Sequence, residues 1–432
     1  MSESSKTDVI VVGAGPAGVS AAITVARGGK KAVLVERGNF SGAKNVYGGV
    51  IYSHAAKEIF PNFKEAPIER FVNNKSFMLL SEYDSTTISY KNSLDEEGSF
   101  IALRAKWDKW CVEQAKKEGV DFAPETTVRN LIVENGAVVG IETDLERFYA
   151  DIVILADGVN SLLSEQIGLK SKPKAKQVVL AVKEVIKLPQ NVIEQRFGLI
   201  DGKGAEFKIA GGPLAGLFAM GLMFTNKDSV AIGIGASLDD LKSKKIAPYE
   251  LLEDLKHHPS IAPYLKDGEL IEYSAHLIPE GGFDTLPKLY SDGVMVTGDA
   301  AALVNNVHFE GTNLAMFSGK FAGETALEAI EKNDFSSNML CLYEKKLKNS
   351  FVMKDLKTYK DVVKLVSART DSFLGYYPQK VNEFFEIFTS ANGIEKKGQF
   401  VKFTKNFFCK RSLAELFNDA VTGIKLIFGV LK

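Results

Sequence analysis

The run Asp8-Val9-Ile10-Val11-Val12-Gly13-Ala14-Gly15-Pro16-Ala17-Gly18 leads into an Ala-rich helical segment and then into Lys31-Ala32-Val33-Leu34-Val35-Glu36. Strand, glycine turn, helix, strand and terminal acid, in that order, predict a βαβ unit that grips the ADP half of a dinucleotide. Each residue type has a physical task. Gly13 permits the tight turn, Gly15 lets backbone N–H groups approach a pyrophosphate, and Gly18, next to Ala17, allows close helix–strand packing. The helix N-terminus then faces phosphate with its orphan donors and its positive dipole end. Glu36 can accept hydrogen bonds from a ribose diol and would repel a 2′-phosphate, although Arg37 beside it carries the opposite charge.

A chain of 432 residues is too long for one compact core, so two or three domains are expected. A net charge of −1 gives no reason to expect nucleic acid as a partner. Cys111, Cys341 and Cys409 stand far apart without CxxC spacing, which excludes a disulfide framework and points to a reducing compartment. Three cysteines also cannot supply a four-thiolate iron–sulfur cluster. The polar Met1–Thr7 segment lacks the build of a secretory signal, so a cytoplasmic location is expected. No apolar run reaches the ~18 residues of a spanning helix, so any membrane contact is expected to be peripheral.

Nicotinamide and flavin enzymes share this opening unit, and two later segments favour flavin. One is the apolar strand Ala150–Leu155 with its turn through Asp157 and Gly158; the other is Ser291 to Ala301, containing Gly298-Asp299. A strand that ends in Gly-Asp and opens a helix brings a backbone N–H to phosphate and a carboxylate to a hydroxyl chain, which in FAD is the ribityl. The three segments together resemble the glutathione-reductase-type FAD fold, in the branch that includes aromatic hydroxylases and geranylgeranyl reductases. The expected fold class is therefore α/β: a Rossmann-like FAD-binding fold with an inserted, mostly antiparallel sheet domain and a helical C-terminal region. The FAD-binding domain is expected over 1–75, 100–170 and 286–339, the substrate or quinone domain over 76–99 and 171–285, and the helical region over 340–432.

Arg104 opens a helix whose apolar positions Trp107, Trp110, Cys111 and Ala115 recur at helical spacing. In the branch it resembles, the matching arginine lies near the FAD phosphates; an exposed arginine at a helix start is the alternative. The strand through Val128 resembles the one that flanks adenine, and Asn130 to Gly140 reads as a hairpin turning at Asn135-Gly136. A helix is expected over Ala315 to Ile330, and a helix N-terminus at Gly311 or Thr312, before Asn313, would point N–H donors at the flavin pyrimidine ring; Thr312 or Asn313 can equally serve as an N-cap. His308, in the loop before that helix, is a candidate proton relay to flavin or quinone. His257-His258, in a polar loop, and His276, in a strand-like run, have no metal-ligand companions and read as structural, so no metal is expected.

Ser41 to His54, including Lys44, Asn45, Gly48 and Gly49, resembles the FixC proteins, iron–sulfur-free relatives of electron-transfer-flavoprotein:quinone oxidoreductase. Glu194–Phe197, Asp201–Ala205 and Gly221–Ser229 extend the likeness, which covers nearly the whole chain. It implies electrons arriving from electron transfer flavoprotein subunits through a separate ferredoxin-like iron–sulfur subunit, entering FAD and leaving to membrane quinone. It also implies, for some members, a place in a bifurcating assembly. Lys44, Asn45, Gly48 and Gly49 enter the candidate FAD set on this resemblance.

Geranylgeranyl-type reduction of isoprenoid lipids and FAD-dependent monooxygenation are the alternatives. Against the first, Leu217 to Phe224 lacks the tryptophan and proline of the lipid-tunnel pattern; against the second, no further nucleotide-binding glycine motif is found. A third reading is a flavin-bearing subunit that only docks partners. The Gly211–Gly216 cluster could pass an isoprenoid tail but reads first as a turn. Near the C-terminus, Phe400-Val401, Phe403, Phe407-Phe408 and Leu416-Phe417 alternate with Lys402, Lys405, Lys410 and Arg411, a basic amphipathic pattern suited to a membrane surface, a partner subunit or the protein's own core.

Overall fold

The computed structural model describes residues 6–43, 49–92 and 97–431. The chain divides into two compact units, one of residues 1–69, 98–179 and 276–360, the other of 70–97, 180–275 and 361–432. The helices Ser337–Asn349 and Phe351–Thr358 thus fall in the first unit and the later helices in the second, whereas the sequence groups 340–432 as one region.

In the first unit Arg147–Leu155 pairs in parallel with Thr7–Val12, which pairs in parallel with Ala32–Val35 and so leads to Asp121–Ala123. Val294–Val296 adds to the other side of Arg147–Leu155, with Tyr290–Ser291 antiparallel at the edge. Val9–Val12 and Ile152–Leu155 are buried, the pattern of strands covered on both faces. The expected hairpin is formed by Val128–Glu134 and Ala137–Thr143, and both turn residues take positive φ, +51° at Asn135 and +85° at Gly136.

The helix Pro16–Arg27 starts with proline at its first position, where the missing N–H costs nothing. It packs along Thr312–Lys332 through small residues: a Cβ on Gly319 would lie 2.0 Å from the Ala17 carbonyl oxygen. Tyr343, fully buried on Ser337–Asn349, donates to the Val296 carbonyl at 2.9 Å and so fixes the strand that leads into Gly298-Asp299.

The second unit is built on a sheet in the order Glu269–Pro279, Val178–Lys187, Ser229–Ser237, Ala219–Thr225, Gly204–Gly211, Ile68–Leu80, with Ser85–Lys91 on the last of these. It is antiparallel except for the parallel pairing of Gly204–Gly211 with Ile68–Leu80 among the pairs resolved in register. Ile209, Met223, Ile232, Leu252 and Leu255 form its core, with the last two on the helix Pro248–His257. His257 ends that helix and His258 is buried with its Nε2 3.2 Å from the Ser81 carbonyl oxygen, so the pair is not in a polar loop. The Gly211–Gly216 cluster is packed at its start: a Cβ on Gly211 would meet Leu80 O at 2.3 Å and Pro378 Cβ at 2.8 Å.

Candidate functional site

The glycine turn shows three separate geometric demands. Gly13 sits at φ +102°, and a Cβ there would lie 2.3 Å from the Ala156 carbonyl oxygen on the neighbouring strand segment. A Cβ on Gly18 would lie 1.9 Å from Gly13 O. Gly15, the N-cap of Pro16–Arg27, has nothing within 4 Å of its Cβ direction, and the N-cap makes no side-chain hydrogen bond. The space beside Gly15 at the start of this helix is therefore open and no side chain caps it, the arrangement that suits a phosphate.

Glu36 braces this turn: Oε2 accepts from the Ala14 N–H at 3.1 Å and Oε1 from the Gly38 N–H at 2.7 Å. Carboxylate oxygens have further lone pairs for sugar hydroxyls. Buried Ser41 donates to the Ala14 carbonyl and closes the turn from another side. The Glu125 N–H donates to Gly38 O at 2.9 Å and the Thr126 N–H to Glu36 O at 2.9 Å, which places the start of the half-buried Val128 strand near the acid. Arg37 is exposed, and its charge acts on both Asp157 and His276.

Arg104 is not an exposed helix-start arginine: it is 6% exposed, and its guanidinium grips Asp108 one turn later through Nε at 3.0 Å and Nη2 at 2.9 Å. Burial disfavours the Arg104 cation, but the charge and hydrogen bonds of Asp108, with the charge of Asp299, more than offset it and raise its pKa. The adjacent Gly42 backbone packs on this helix, a Cβ there standing 3.1 Å from Arg104 O and from Asp108 Cβ.

Two acids occupy the turns that leave the adjacent strands Arg147–Leu155 and Val294–Val296. Burial pushes the Asp157 carboxyl up to about 6, against the Leu163 N–H and the charges of Lys170 and Arg37. Its Oδ1 is buried with no hydrogen-bond partner. Gly158 follows at φ +76°. Burial also raises the pKa of Asp299, opposed by Arg104 and Lys170. Gly298 lies at φ +62°, and a Cβ there would stand 2.8 Å from Ala17 Cβ, so the small pair lets the Gly-Asp turn approach the first helix. The Gly298 N–H itself donates to Ser318 Oγ at 3.1 Å, so it is spent inside the protein.

The last helix of the site begins at Thr312, three residues before Ala315 and at the N-terminus expected from Gly311-Thr312, with Gly311 as N-cap and no side-chain cap. Neither Thr312 nor Asn313 caps it, because both lie inside its first turn. Asn313 is 1% exposed, and its Oδ1 and Nδ2 have no hydrogen-bond partner. An amide left so is costly unless a ligand engages it. The preceding loop is closed by a bridge between Asn305 and Glu310, and the Asn305 Oδ1 accepts from the N–H groups of Val307 and His308. His308 is exposed, its ring edge-on to Tyr359 at 4.7 Å, and its carbonyl accepts from the Tyr52 hydroxyl at 3.1 Å.

Lys44, Asn45 and Gly48 lie outside the described residues; Gly49 is buried and accepts from the Ala102 N–H at 2.8 Å. The sequence reading missed Ser41, Asp108, Lys170 and His276. The i, i+4 spacing of Arg104 and Asp108 was a usable signal. His276 was read as structural alone, yet its pKa is pushed down to about 4 by burial and by the charges of Arg104 and Arg37, two residues of the candidate set. Among the described residues no group of three His, Cys, Asp or Glu could hold a metal ion.

Open space before one helix N-terminus, unpartnered Asp157 and Asn313 atoms and a second helix N-terminus fit a ligand with a pyrophosphate, hydroxyls and a polar ring. The family described as FAD dependent oxidoreductase matches residues 8–162. The chain is 40% identical to protein FixC of Azorhizobium caulinodans over 423 residues, covering 96% of this chain and 97% of that protein. It is 39% identical to protein FixC of Escherichia coli strain K12 over 389 residues, 88% and 90% of the two chains. Among solved structures, a geranylgeranyl bacteriochlorophyll reductase-like protein from Thermoplasma acidophilum is similar, with TM-score 0.71 and 24% identity over 85% of this chain and 90% of that one. A halogenase, PltM, solved in complex with FAD, has TM-score 0.65 and 14% identity over 97% and 86%. Both solved structures share the fold.

Proposed function

The chain belongs to the FixC family of FAD-dependent oxidoreductases, its cofactor is FAD, and on that premise we propose that it passes electrons from an electron transfer flavoprotein to membrane quinone. In this reading the electrons arrive through a separate ferredoxin-like iron–sulfur subunit, since three cysteines cannot hold a four-thiolate cluster. The whole assembly can be a bifurcating one. Bound FAD supplies the redox chemistry, and the protein supplies binding, orientation and electrostatics.

The residues divide that work among themselves. The Pro16–Arg27 N-terminus and the Gly15 gap take the pyrophosphate, Glu36 the adenosine ribose, and Val128 backbone the adenine side. Asp299 holds the ribityl chain and Arg104, kept cationic by Asp108, counters phosphate charge. The Gly311–Asn313 helix start offers N–H donors to the flavin ring, and His308 is the proton relay.

The observation that carries the quinone end is the surface of the second unit's helices Tyr377–Thr389, Lys396–Cys409 and Leu413–Leu431. Phe388 is 63% exposed, Phe417 69% and Phe428 61%, with Phe384, Phe385, Val401, Phe408, Ile424 and Ile427 also exposed. Between 377 and 429 stand eight basic and five acidic residues, and Lys397, Lys402, Lys405, Lys410 and Lys425 are exposed. Exposed apolar groups among lysines suit the interface of an anionic bilayer, where quinone resides. Among the described residues no helix is long and apolar enough to cross a membrane.

The test is anaerobic. The FAD-loaded protein is reduced with dithionite, the excess is removed, and a short-chain quinone is added while the oxidised flavin spectrum is followed. Fast, saturable return is expected. No return from folded, FAD-loaded protein, either alone or with an added iron–sulfur partner, overturns the reading; reduction of a prenyl lipid by the same protein would replace it with isoprenoid reduction.

A further inference from the structure

Lys170 stands just past the short helix Leu162–Gln166, held there by its own N–H on the Ser164 carbonyl. Its ammonium donates to Val159 O at 3.1 Å and to Ala300 O at 3.1 Å. Those two carbonyls belong to the turns that leave neighbouring parallel strands, with Leu155 in register with Val296. One side chain therefore ties the Asp157-Gly158 turn to the Gly298-Asp299 turn. An ammonium has three donors, and the third is not used by either carbonyl. Lys170 also lines a cavity of about 280 Å³ with Val159, Gln177, Thr285 and Ala302.

The charges around it decide what this cation does. Asp157, Asp299 and Glu165 face Lys170; Arg37 also faces Asp157, and Arg104 also faces Asp299. Arg37 is exposed and screened by water, whereas Arg104 has Nε and Nη2 engaged by the Asp108 carboxylate. Among the described residues Lys170 has no bonded carboxylate: its hydrogen bonds go to the neutral carbonyls of Val159 and Ala300, and its positive charge acts on the two acids.

We propose that Lys170 is a positioning residue for FAD, a half-buried cation that joins the two acidic turns and offsets the charge of Asp157 and Asp299, so that the negatively charged cofactor binds beside them. Without it, two buried carboxylates either repel the pyrophosphate or take up protons before FAD can bind. Burial lowers the Lys170 pKa, and the charges of Asp157, Asp299 and Glu165 offset only part of that lowering. The inference concerns FAD binding and stands apart from the identity of the electron acceptor.

Two substitutions separate charge from hydrogen bonding. Lys170→Gln keeps a donor and loses the charge; Lys170→Arg keeps the charge. Apoprotein is titrated with FAD between about pH 6 and pH 9, and its melting temperature is measured alongside. Lys170→Gln should weaken FAD binding about 10- to 100-fold at the alkaline end, the size of one lost charge-assisted interaction. Its affinity should recover as pH falls and the acids protonate, while Lys170→Arg stays near the parent. Equal affinity and an unchanged pH profile in Lys170→Gln would overturn the proposal, as would equal loss in both variants with no pH dependence, the mark of a hydrogen-bonded strut. If Lys170→Gln yields no folded apoprotein, Lys170→Gln with Asp157→Asn decides. Folding with FAD affinity less dependent on pH supports the charge role, and failure to fold supports the strut.

Discussion

The turns around Asp157 and Asn313 and the helices around Phe388 and Phe428 depart from ordinary protein chemistry in opposite directions. In the first region polar atoms are buried without a protein partner; in the second, large apolar rings face solvent. A stable domain normally avoids both, because an unsatisfied buried polar group costs about 1–3 kcal/mol and extended apolar patches invite association. The contrast teaches that departures of each sign point to a different kind of partner: a small polar cofactor for one region and an apolar surface for the other.

The largest effect should come from closing the first region. Gly18→Ala puts a methyl 1.9 Å from Gly13 O, so the turn must shift, and the purified protein should be colourless even after incubation with FAD. A yellow, stoichiometrically loaded Gly18→Ala protein would break the assignment of this turn. Asp108→Ala comes next: it removes the carboxylate bonded to two nitrogens of the buried Arg104 guanidinium and should cost ~3–5 kcal/mol in a denaturant melt. A loss below ~1 kcal/mol would mean that Arg104 escapes to water and does not serve the site.

A pH test follows. Burial raises the Glu280 carboxyl to about 8 in the folded protein, against an ordinary value of 4.5. An acid raised on folding contributes stability that is full below the unfolded value and is lost as pH rises through the folded one. Parent minus Glu280→Gln should therefore show stability falling between about pH 4.5 and pH 8, by ~2–4 kcal/mol. Asp157, raised to about 6, acts with the same sign over a lower window. Parallel pH profiles of the two proteins would show that Glu280 is not held protonated.

The smallest effect on stability, and the sharpest test of the second region, comes from Phe388→Ser, Phe417→Ser and Phe428→Ser combined. Surface changes of this kind should each move stability by only ~0.5 kcal/mol. Flotation with anionic liposomes should nevertheless be lost. Unchanged flotation would remove this face as the membrane contact.

The βαβ opening is legible in the sequence because its demands are local: Gly18 answers to Gly13 five residues away, Gly13 to Ala156 beside the adjoining strand, and Gly15 to the open space a ligand needs. The Asn135-Gly136 hairpin is legible for the same reason. Arg104 is legible as a site candidate, but its burial is not, since helical spacing shows which residues share a face and not what covers the first turn. Lys170 is invisible because its meaning comes from Ala300, 130 residues away in the chain, and nothing near position 170 hints at that approach. Ser41 and His276 escape in the same way. The N-terminus at Gly311 or Thr312 is legible from the Gly-Thr-Asn run, but the unpartnered burial of Asn313 in the first turn is not, since it depends on what packs around that turn.

The division of the chain has a consequence for how the protein is made. Each unit is assembled from three separated stretches, and the first is incomplete until residue 360 has been synthesised. The strand Thr7–Val12 emerges early but waits for Arg147–Leu155 as its neighbour, and the Gly298-Asp299 turn and the Thr312–Lys332 helix come later still. Cofactor loading must therefore come late, after most of the polypeptide has left the ribosome. Pairings this distant in sequence form slowly and leave sheet edges exposed in the meantime, so the nascent chain is a natural client for chaperones, and its yield in a cell depends on flavin supply at the moment the last strand closes.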